Sequence, residues 1–160
     1  PLMNTVIVIP AYNEAEVVGR VIEDVRAHGF PHIVVVDDGS KDASWYVASA
    51  HDALALRLKI NRGKGAAVKT GIMAANLLDA DVVVTMDGDG QHDPADIKPL
   101  ITPILEGESD VVLGSRLIQR DKMPRIKVLA NSIGNFFTWL FYGLLVYTYL
   151  RGPLVRWLRQ

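Results

Sequence analysis

The sequence predicts an α/β fold in which helices cover a mostly parallel β-sheet. Short apolar runs alternate with longer segments whose apolar residues recur at helical spacing. Most of these runs lack polar alternation, which is typical of strands that are buried on both faces. The chain has 160 residues, of which 49% are hydrophobic, enough for one domain with a single core.

Five runs are predicted to be strands. In chain order they are Thr5–Ile9, His32–Val36, Leu54–Ile60, Val82–Met86 and Asp110–Leu113. Leu54–Ile60 alternates leucine and isoleucine with Ala, Arg and Lys, which predicts a half-exposed strand at an edge of the sheet. Val82–Met86 contains three valines and no alternation, so we predict a central, buried strand.

Four segments that follow these strands are predicted to be helices. They are Glu14–His28, Asp42–His51, Gly65–Leu78 and Pro94–Leu105. Asn13 is the predicted N-cap of the first helix and Gly29 its stop, and Pro94 suits the first turn of the last. Strands that alternate with helices in this way pair mostly in parallel.

The net charge of −1 conceals two oppositely charged segments. Residues 1–110 carry 9 Lys and Arg against 17 Asp and Glu, whereas residues 111–160 carry 8 against 1. An acidic body argues against a nucleic-acid partner, because nucleic-acid-binding domains present a basic face. The chain has no cysteine, which excludes disulfides, thiolate metal sites and a cysteine nucleophile.

The last third of the chain is apolar and aromatic. No charged residue occurs between residues 128 and 150, and Arg151, Arg156 and Arg159 follow. This composition predicts an apolar or amphipathic C-terminal helix that lies on, or dips into, an anionic membrane surface; a buried core helix and a true membrane span are the alternatives. Residues 1–10 lack the positively charged start of a signal peptide. We therefore expect a globular domain, 1–122, and a membrane-proximal tail, 123–160.

Two carboxylates follow the fourth predicted strand. Side chains at i and i+2 of an extended chain project to the same side, so Asp87 and Asp89 can converge, and Gln91 continues the row if the backbone stays extended. Two carboxylates at the carboxyl end of a strand suit Mg²⁺ or Mn²⁺, which in turn holds a substrate diphosphate. A chance acidic loop is the alternative. We expect His92 to cap the next helix and not to bind the metal.

Polar residues from three other segments are expected at the same edge of the sheet, where parallel α/β folds bind ligands. Tyr12 can pack on a planar base, and Glu14 can accept hydrogen bonds from it; an ordinary capped strand exit is the alternative. Of the adjacent Asp37 and Asp38, one should bind a ribose or base while the other braces the loop, unless the segment is a plain turn.

Two basic residues are expected near this edge. Lys64 lies in the glycine-bearing turn 61–65, where helix-start amides favour phosphate, although a simple turn is equally compatible. Arg116 follows the last predicted strand and suits phosphate geometry, or is simply solvated.

Five ordered segments together resemble the family 2 inverting glycosyltransferases, especially the dolichol (polyprenol) phosphate mannose and glucose synthases. The segments are Val8–Glu14, Val35–Ser40, Asn61–Gly65, Met86–Gln91 and Gly114–Arg116. The resemblance implies a GT-A nucleotide-sugar-binding fold in residues 1–122. It also implies a donor such as GDP-mannose or a UDP-sugar, a Mg²⁺ or Mn²⁺ cofactor and a polyprenol phosphate acceptor. The expected location is peripheral, at the cytoplasmic face of a membrane.

The resemblance also implies roles for individual residues. The residues implied to hold the nucleotide are Pro10, Tyr12, Glu14, Asp37, Lys64 and Asp87. Those that hold the metal are Asp87 and Asp89. The catalytic set at the diphosphate is Asp89, Gln91 and Arg116. Those that bind the acceptor phosphate are Arg125 and Lys127.

Two segments depart from the family pattern. An arginine pair expected before Asn131 falls on Lys127 and Val128, and the expected Ser-Gly-Phe-Arg segment is replaced by Val146–Gly152. Because the acceptor half is atypical, a non-catalytic nucleotide-sugar-binding module is the alternative function.

Overall fold

A computed structural model describes residues 3–114, in which four parallel strands form one sheet. The strands are β1 (Thr5–Ala11), β2 (Ile33–Asp37), β3 (Leu54–Arg57) and β4 (Val82–Thr85), in the spatial order β3-β2-β1-β4. The helices are α1 (Val18–Ala27), α2 (Ser44–Ala50), α3 (Lys64–Leu77) and α4 (Ile97–Leu105), the last preceded by a 3₁₀ turn at Pro94–Asp96. The predicted α/β class, with a parallel sheet flanked by helices, is confirmed.

Apolar residues cover both faces of the sheet. Ile7 and Ile9 of β1 pack on one face in a cluster with residues of α1 and α4. Val6 and Val8 point to the other face, where Ala67 and Ala75 of α3 meet them. Burial on both faces explains why β1 and β2 show no polar alternation.

β1 extends two residues beyond its predicted end at Ile9. Pro10 pairs with Val36 of β2, and Ala11 with Asp37. On the other side of β1, the ladder with β4 ends at the pair Val8–Thr85. Pro10 faces this second side, so its missing N–H leaves no ladder hydrogen bond unmade.

The predicted start of the first helix at Glu14 is wrong, since α1 begins at Val18. Asn13 does not cap it, because its φ is +56° and its side chain accepts the Lys41 N–H from another loop. The predicted stop is confirmed: Gly29 follows the helix with a φ of +93°.

Two predictions for the strands are wrong within residues 3–114. β4 lies at an edge of the described sheet and not at its centre, and most of it is only half-buried. Asp110–Leu113 does not form a strand, and Val111 and Leu113 are 73% and 87% exposed. Apolar content alone does not specify which strand becomes a neighbour of which. The predicted half-exposed edge strand is confirmed as β3.

The described compact unit ends at Leu113. Arg116, Arg125, Lys127, the predicted C-terminal helix and the predicted boundary at residue 122 lie outside the described residues. Among residues 3–114, no helix combines the length and the apolar character needed to cross a bilayer.

Candidate functional site

A cavity of about 330 Å³ lies at the carboxyl ends of the strands. It is lined by Pro10, Ala11, Tyr12, Glu14, Asp38, Asn61, Gly63, Lys64, Ala67, Asp87, Gly88 and Asp89. Parallel strands end at the same edge, so the segments that follow β1, β2, β3 and β4 meet there. Of the residues predicted for the site, the structure brings together Pro10, Tyr12, Glu14, Lys64, Asp87 and Asp89.

Asp87 and Asp89 reach the cavity from a turn. β4 ends at Thr85, and the chain bends at Gly88 and Asp89. The Gln91 backbone N–H donates to Asp89 Oδ1 at 2.9 Å, which closes this turn. The backbone therefore does not stay extended, which was the condition for Gln91 to continue the row, and Gln91 is exposed and does not line the cavity.

Basic groups approach Asp87 from two sides. Lys64 Nζ lies 2.5 Å from Asp87 Oδ1. The Asp87 N–H donates to His92 Nδ1 at 3.2 Å, and His92 Nε2 lies 4.0 Å from Asp87 Oδ2. The predicted capping role of His92 is wrong, because Asp93 caps the 3₁₀ turn by accepting the Ala95 N–H.

Glu14 is the third carboxylate of the cavity. Burial, and then the negative charges of Asp89 and Asp42, raise the pKa of Glu14 above its ordinary 4.5. Burial and repulsion by these two carboxylates therefore both disfavour the ionised form of Glu14. A bound cation would relieve that repulsion.

The structure places the two acids at the end of β2 differently from what the resemblance implies. Asp37, expected to hold the nucleoside, is 1% exposed and does not line the cavity. Its Oδ1 accepts the Ser40 N–H at 3.0 Å, and its Oδ2 lies 3.1 Å from Arg57 Nε. Asp37 therefore braces the loop.

Asp38 lines the cavity and holds the turn that precedes α3. Its two carboxylate oxygens accept the N–H groups of Arg62 and Gly63 at 2.8 and 2.7 Å. Gly63, with a φ of +89°, then leads into α3, which begins at Lys64. Two of the amides expected to bind phosphate are thus already used. Of the two basic residues in this turn, Arg62 and Lys64, it is Lys64 that lines the cavity. Asn61 lines the cavity too, and sequence reasoning assigned it no role.

The donor set suits a hard divalent cation. Asp87 and Asp89 offer carboxylate oxygens, and the lining contains no histidine. In the described part of the chain, no three acidic, histidine or cysteine side chains form a complete ligand cluster. Mg²⁺ commonly uses one or two carboxylates and takes its other ligands from water and substrate phosphates. The residues present therefore fit a metal that is shared with a diphosphate.

The fold and this cavity define a glycosyltransferase domain of the GT-A type. The family model for "Glycosyl transferase family 2" matches residues 6–151, and the chain belongs to this family. A similar solved structure is glucosyl-3-phosphoglycerate synthase from Mycobacterium tuberculosis, in complex with Mn²⁺ and UDP. The TM-score is 0.57 and the identity 26%, over 67% of this chain and 41% of that one.

Two of the curated relatives with higher identity are named for polyprenol phosphates. A UDP-N-acetylglucosamine–dolichyl-phosphate N-acetylglucosaminyltransferase of Methanococcus voltae is 33% identical over 160 residues, 88% of this chain and 64% of that protein. A polyprenol monophosphomannose synthase of Mycolicibacterium smegmatis is 36% identical over 166 residues, 95% of this chain and 61% of that protein. The chain thus spans about six tenths of the length of these relatives.

Proposed function

We propose that this protein transfers a sugar from a nucleoside-diphosphate sugar to a polyprenol phosphate, with inversion at the anomeric carbon and with Mg²⁺ or Mn²⁺ as cofactor. One observation carries the proposal: a single cavity at the strand ends joins an exposed aromatic ring, a lysine and the carboxylates of Asp87 and Asp89. Family membership and the polyprenol phosphates in the names of the relatives support it. The expected place of action is the cytoplasmic face of a membrane, where the lipid acceptor is held.

The donor nucleoside binds beside β1 in this proposal. Tyr12 is exposed at the cavity and offers a ring face to a planar base. Glu14 accepts hydrogen bonds from the nucleoside, and Pro10 forms the floor. Asp37 acts indirectly, because it braces the loop that places Asp38 in the cavity.

The diphosphate binds towards β4. Asp87 and Asp89 would hold the metal, which when bound neutralises the charge that develops on the leaving diphosphate. The Lys64 side chain is 64% exposed, so its ammonium can move from Asp87 to a phosphate oxygen. In this way the metal replaces the Lys64 ammonium as the counter-ion of Asp87 when the donor binds.

The acceptor is an ionised phosphate, so its oxygen attacks the anomeric carbon without a general base. The bond from the anomeric carbon to the donor diphosphate breaks as the new bond to the acceptor oxygen forms. Arg125 and Lys127 are the sequence-based candidates for holding the acceptor phosphate, and Gln91 and Arg116 for supporting the diphosphate.

The second candidate is a nucleotide-sugar-binding module without transferase activity. It is favoured by the atypical Val146–Gly152 segment, because the described cavity supplies donor-side residues. Calorimetry beside a turnover assay separates the two: tight donor binding without product supports the module.

The transferase proposal is tested on the full chain with GDP-mannose, UDP-glucose and UDP-N-acetylglucosamine, each with Mn²⁺ and with polyprenol phosphate in vesicles. One donor should raise the Tm and yield lipid-linked sugar. Asp87→Asn/Asp89→Asn should abolish turnover and the Mn²⁺-dependent part of the stabilisation, about 2.7 kcal/mol for a ligand at 100 times its Kd.

The matched control is Asp96→Asn, which removes an exposed carboxylate outside the cavity lining. It should behave as the wild type. Metal-dependent transfer that persists in the double variant would contradict the assignment of Asp87 and Asp89.

A further inference from the structure

Two loops at the cavity are joined by side-chain hydrogen bonds. We call residues 12–15, which follow β1, the tyrosine loop, and residues 38–44, which run from the end of β2 to the first residue of α2, the serine loop. The Asn13 N–H donates to Ser40 Oγ at 2.9 Å, and the Lys41 N–H donates to Asn13 Oδ1 at 2.9 Å. Each loop therefore supplies both a backbone donor and a side-chain acceptor to the other.

The next two residues of the tyrosine loop are held in the same way. The Glu14 N–H donates to Ser44 Oγ at 2.8 Å, and the Ala15 N–H to Asp42 Oδ2 at 3.1 Å. The Ser44 hydroxyl in turn donates to Asp42 Oδ1. Although desolvation opposes it, the hydrogen bonds from Ser44 and Ala15 hold the pKa of Asp42 below its ordinary value, so the acceptor stays ionised.

Three consecutive backbone N–H groups of the tyrosine loop thus end on side chains of the serine loop. Ser40 and Ser44 are 4% and 1% exposed, which makes the loss of a partner costly. Asn13 has a φ of +56°, a conformation that asparagine tolerates better than most residues. The fixed backbone of Asn13 separates Tyr12 from Glu14, and both of these side chains line the cavity.

We propose that Asn13, Ser40, Asp42 and Ser44 are positioning residues of the donor site. They do not line the cavity; they hold the tyrosine loop so that Tyr12 and Glu14 face the nucleoside. The inference rests on the proposed function and deepens it by separating two halves of the site. Lys64, Asp87 and Asp89 take part in none of these four hydrogen bonds between the loops, so we expect the diphosphate half to depend on them much less than the nucleoside half does.

The test compares nucleotide binding with pyrophosphate binding in the full chain. UDP, GDP and pyrophosphate are titrated calorimetrically, each with Mn²⁺, into the wild type, Ser44→Ala and the control Ser49→Ala. Ser44→Ala should weaken nucleotide affinity about five- to tenfold, as expected for a lost buried hydrogen bond. It should change pyrophosphate affinity less than about twofold. Ser49→Ala should change neither, because the exposed Ser49 hydroxyl bonds only the Trp45 carbonyl of its own helix.

A second variant guards against a folding defect in Ser44→Ala. Asn13→Gly keeps the left-handed backbone accessible and leaves both buried hydroxyls in place, but removes the acceptor for the Lys41 N–H. It should show the same selective loss of nucleotide affinity, and Asn13→Asp, which restores an acceptor oxygen, should recover it.

The outcomes are distinguishable. Wild-type nucleotide affinity in Ser44→Ala and Asn13→Gly, or an equal loss of nucleotide and pyrophosphate affinity, overturns the positioning role alone. A wild type that binds pyrophosphate but neither nucleotide overturns the proposed function and this inference with it.

Discussion

At the scale of single residues, the ion pair between Lys64 and Asp87 neutralises one carboxylate of the cavity. Lys64 is exposed along most of its length, so the pair is worth no more than about 0.2–1 kcal/mol. A cation that binds Asp87 must displace this ammonium, and a diphosphate offers the displaced ammonium a new partner. Metal and diphosphate should therefore bind more tightly together than separately.

Lys64→Gln tests this coupling. Mn²⁺ alone should bind about two- to fivefold more tightly, because no ammonium competes for Asp87. Mn²⁺ and pyrophosphate should lose most of their mutual enhancement, measured by titrating each in the absence and presence of the other. The control Lys69→Gln removes an exposed lysine of the same helix outside the cavity lining and should leave both affinities unchanged. Unaltered Mn²⁺ binding in Lys64→Gln would refute the competition.

Ionisation of Glu14 makes the folding stability of the protein depend on pH. Because burial, Asp89 and Asp42 raise the pKa of Glu14, the folded state binds its proton more tightly than the unfolded chain does. Folding stability is thus favoured while the carboxyl is protonated, below pH 4.5, and falls as the pH rises through the folded-state pKa. Glu14→Gln removes the charge and should raise the ligand-free stability at pH 7, whereas the two proteins should converge at lower pH.

Urea unfolding at several pH values in the absence of metal measures this difference. Glu16→Gln neutralises an exposed carboxylate two residues away and should show little pH-dependent change. A Glu14→Gln protein that is less stable than the wild type at pH 7 would show that the carboxylate is satisfied by contacts and not opposed by its neighbours.

Individual residues also show what sequence reasoning can and cannot resolve. It predicted that one of Asp37 and Asp38 binds and the other braces, since adjacent strand residues face opposite ways. The sequence could not show which of the two binds, because all residues of β2 are buried. Without alternation between apolar and polar residues, nothing in the strand indicates which side of the sheet each acid faces. The resemblance assigned the binding role to Asp37, and the structure places Asp38 in the cavity instead.

At the scale of elements, the helices were predicted from apolar periodicity, but the start of α1 was not. The predicted start at Glu14 assumed that Asn13 caps its own helix. Asn13 instead bonds Lys41, 28 residues away, and the chain makes a further turn before Val18. A contact at that sequence separation leaves no signal in the local pattern.

The packing of α3 against β1 depends on a glycine. A Cβ at Gly71 would overlap Val8 Cγ1 and lie 3.2 Å from Val36 Cγ2. Gly71→Ala should therefore destabilise the fold by about 1–3 kcal/mol, as overpacking of a core does. Gly65→Ala, in the same helix with open space around its Cβ, should be neutral or stabilise by up to about 1 kcal/mol.

Urea denaturation measures both variants, and an unchanged m-value shows that the compactness of each state is preserved. Equal stabilities for Gly71→Ala and Gly65→Ala would show that α3 can move away from β1 without cost.

At the scale of the whole molecule, the site was more predictable than the topology. The order β3-β2-β1-β4 could not be derived, because several valine-rich runs are equivalent as sheet neighbours. The rule that ligands bind at the carboxyl ends of parallel strands holds for any strand order. That is why Tyr12, Lys64 and Asp89 were expected at one edge of the sheet, although β4 was predicted to be central and lies at an edge within residues 3–114.

Charge is distributed unevenly along the chain, and this distribution predicts that residues 111–160 bind an anionic lipid surface. Residues 111–160 carry a net +7 and the preceding residues a net −8. Attraction of a basic segment to anionic lipid is worth about 1 kcal/mol for each Lys or Arg near the surface. Replacing Arg151, Arg156 and Arg159 by Gln should therefore weaken binding to phosphatidylserine vesicles by about 3 kcal/mol, roughly a hundredfold.

Vesicle co-sedimentation of the full chain at low and high salt measures this effect, since added salt screens exposed charges. The matched control removes three exposed lysines of the acidic segment, by Gln substitution at Lys41, Lys59 and Lys98. This control makes the acidic segment more negative, so it should weaken binding to anionic vesicles slightly, and far less than the arginine variant does, because the three lysines lie outside the basic segment. Equal losses in the two triple variants would show that total charge, and not the basic C-terminal segment, brings the protein to the membrane.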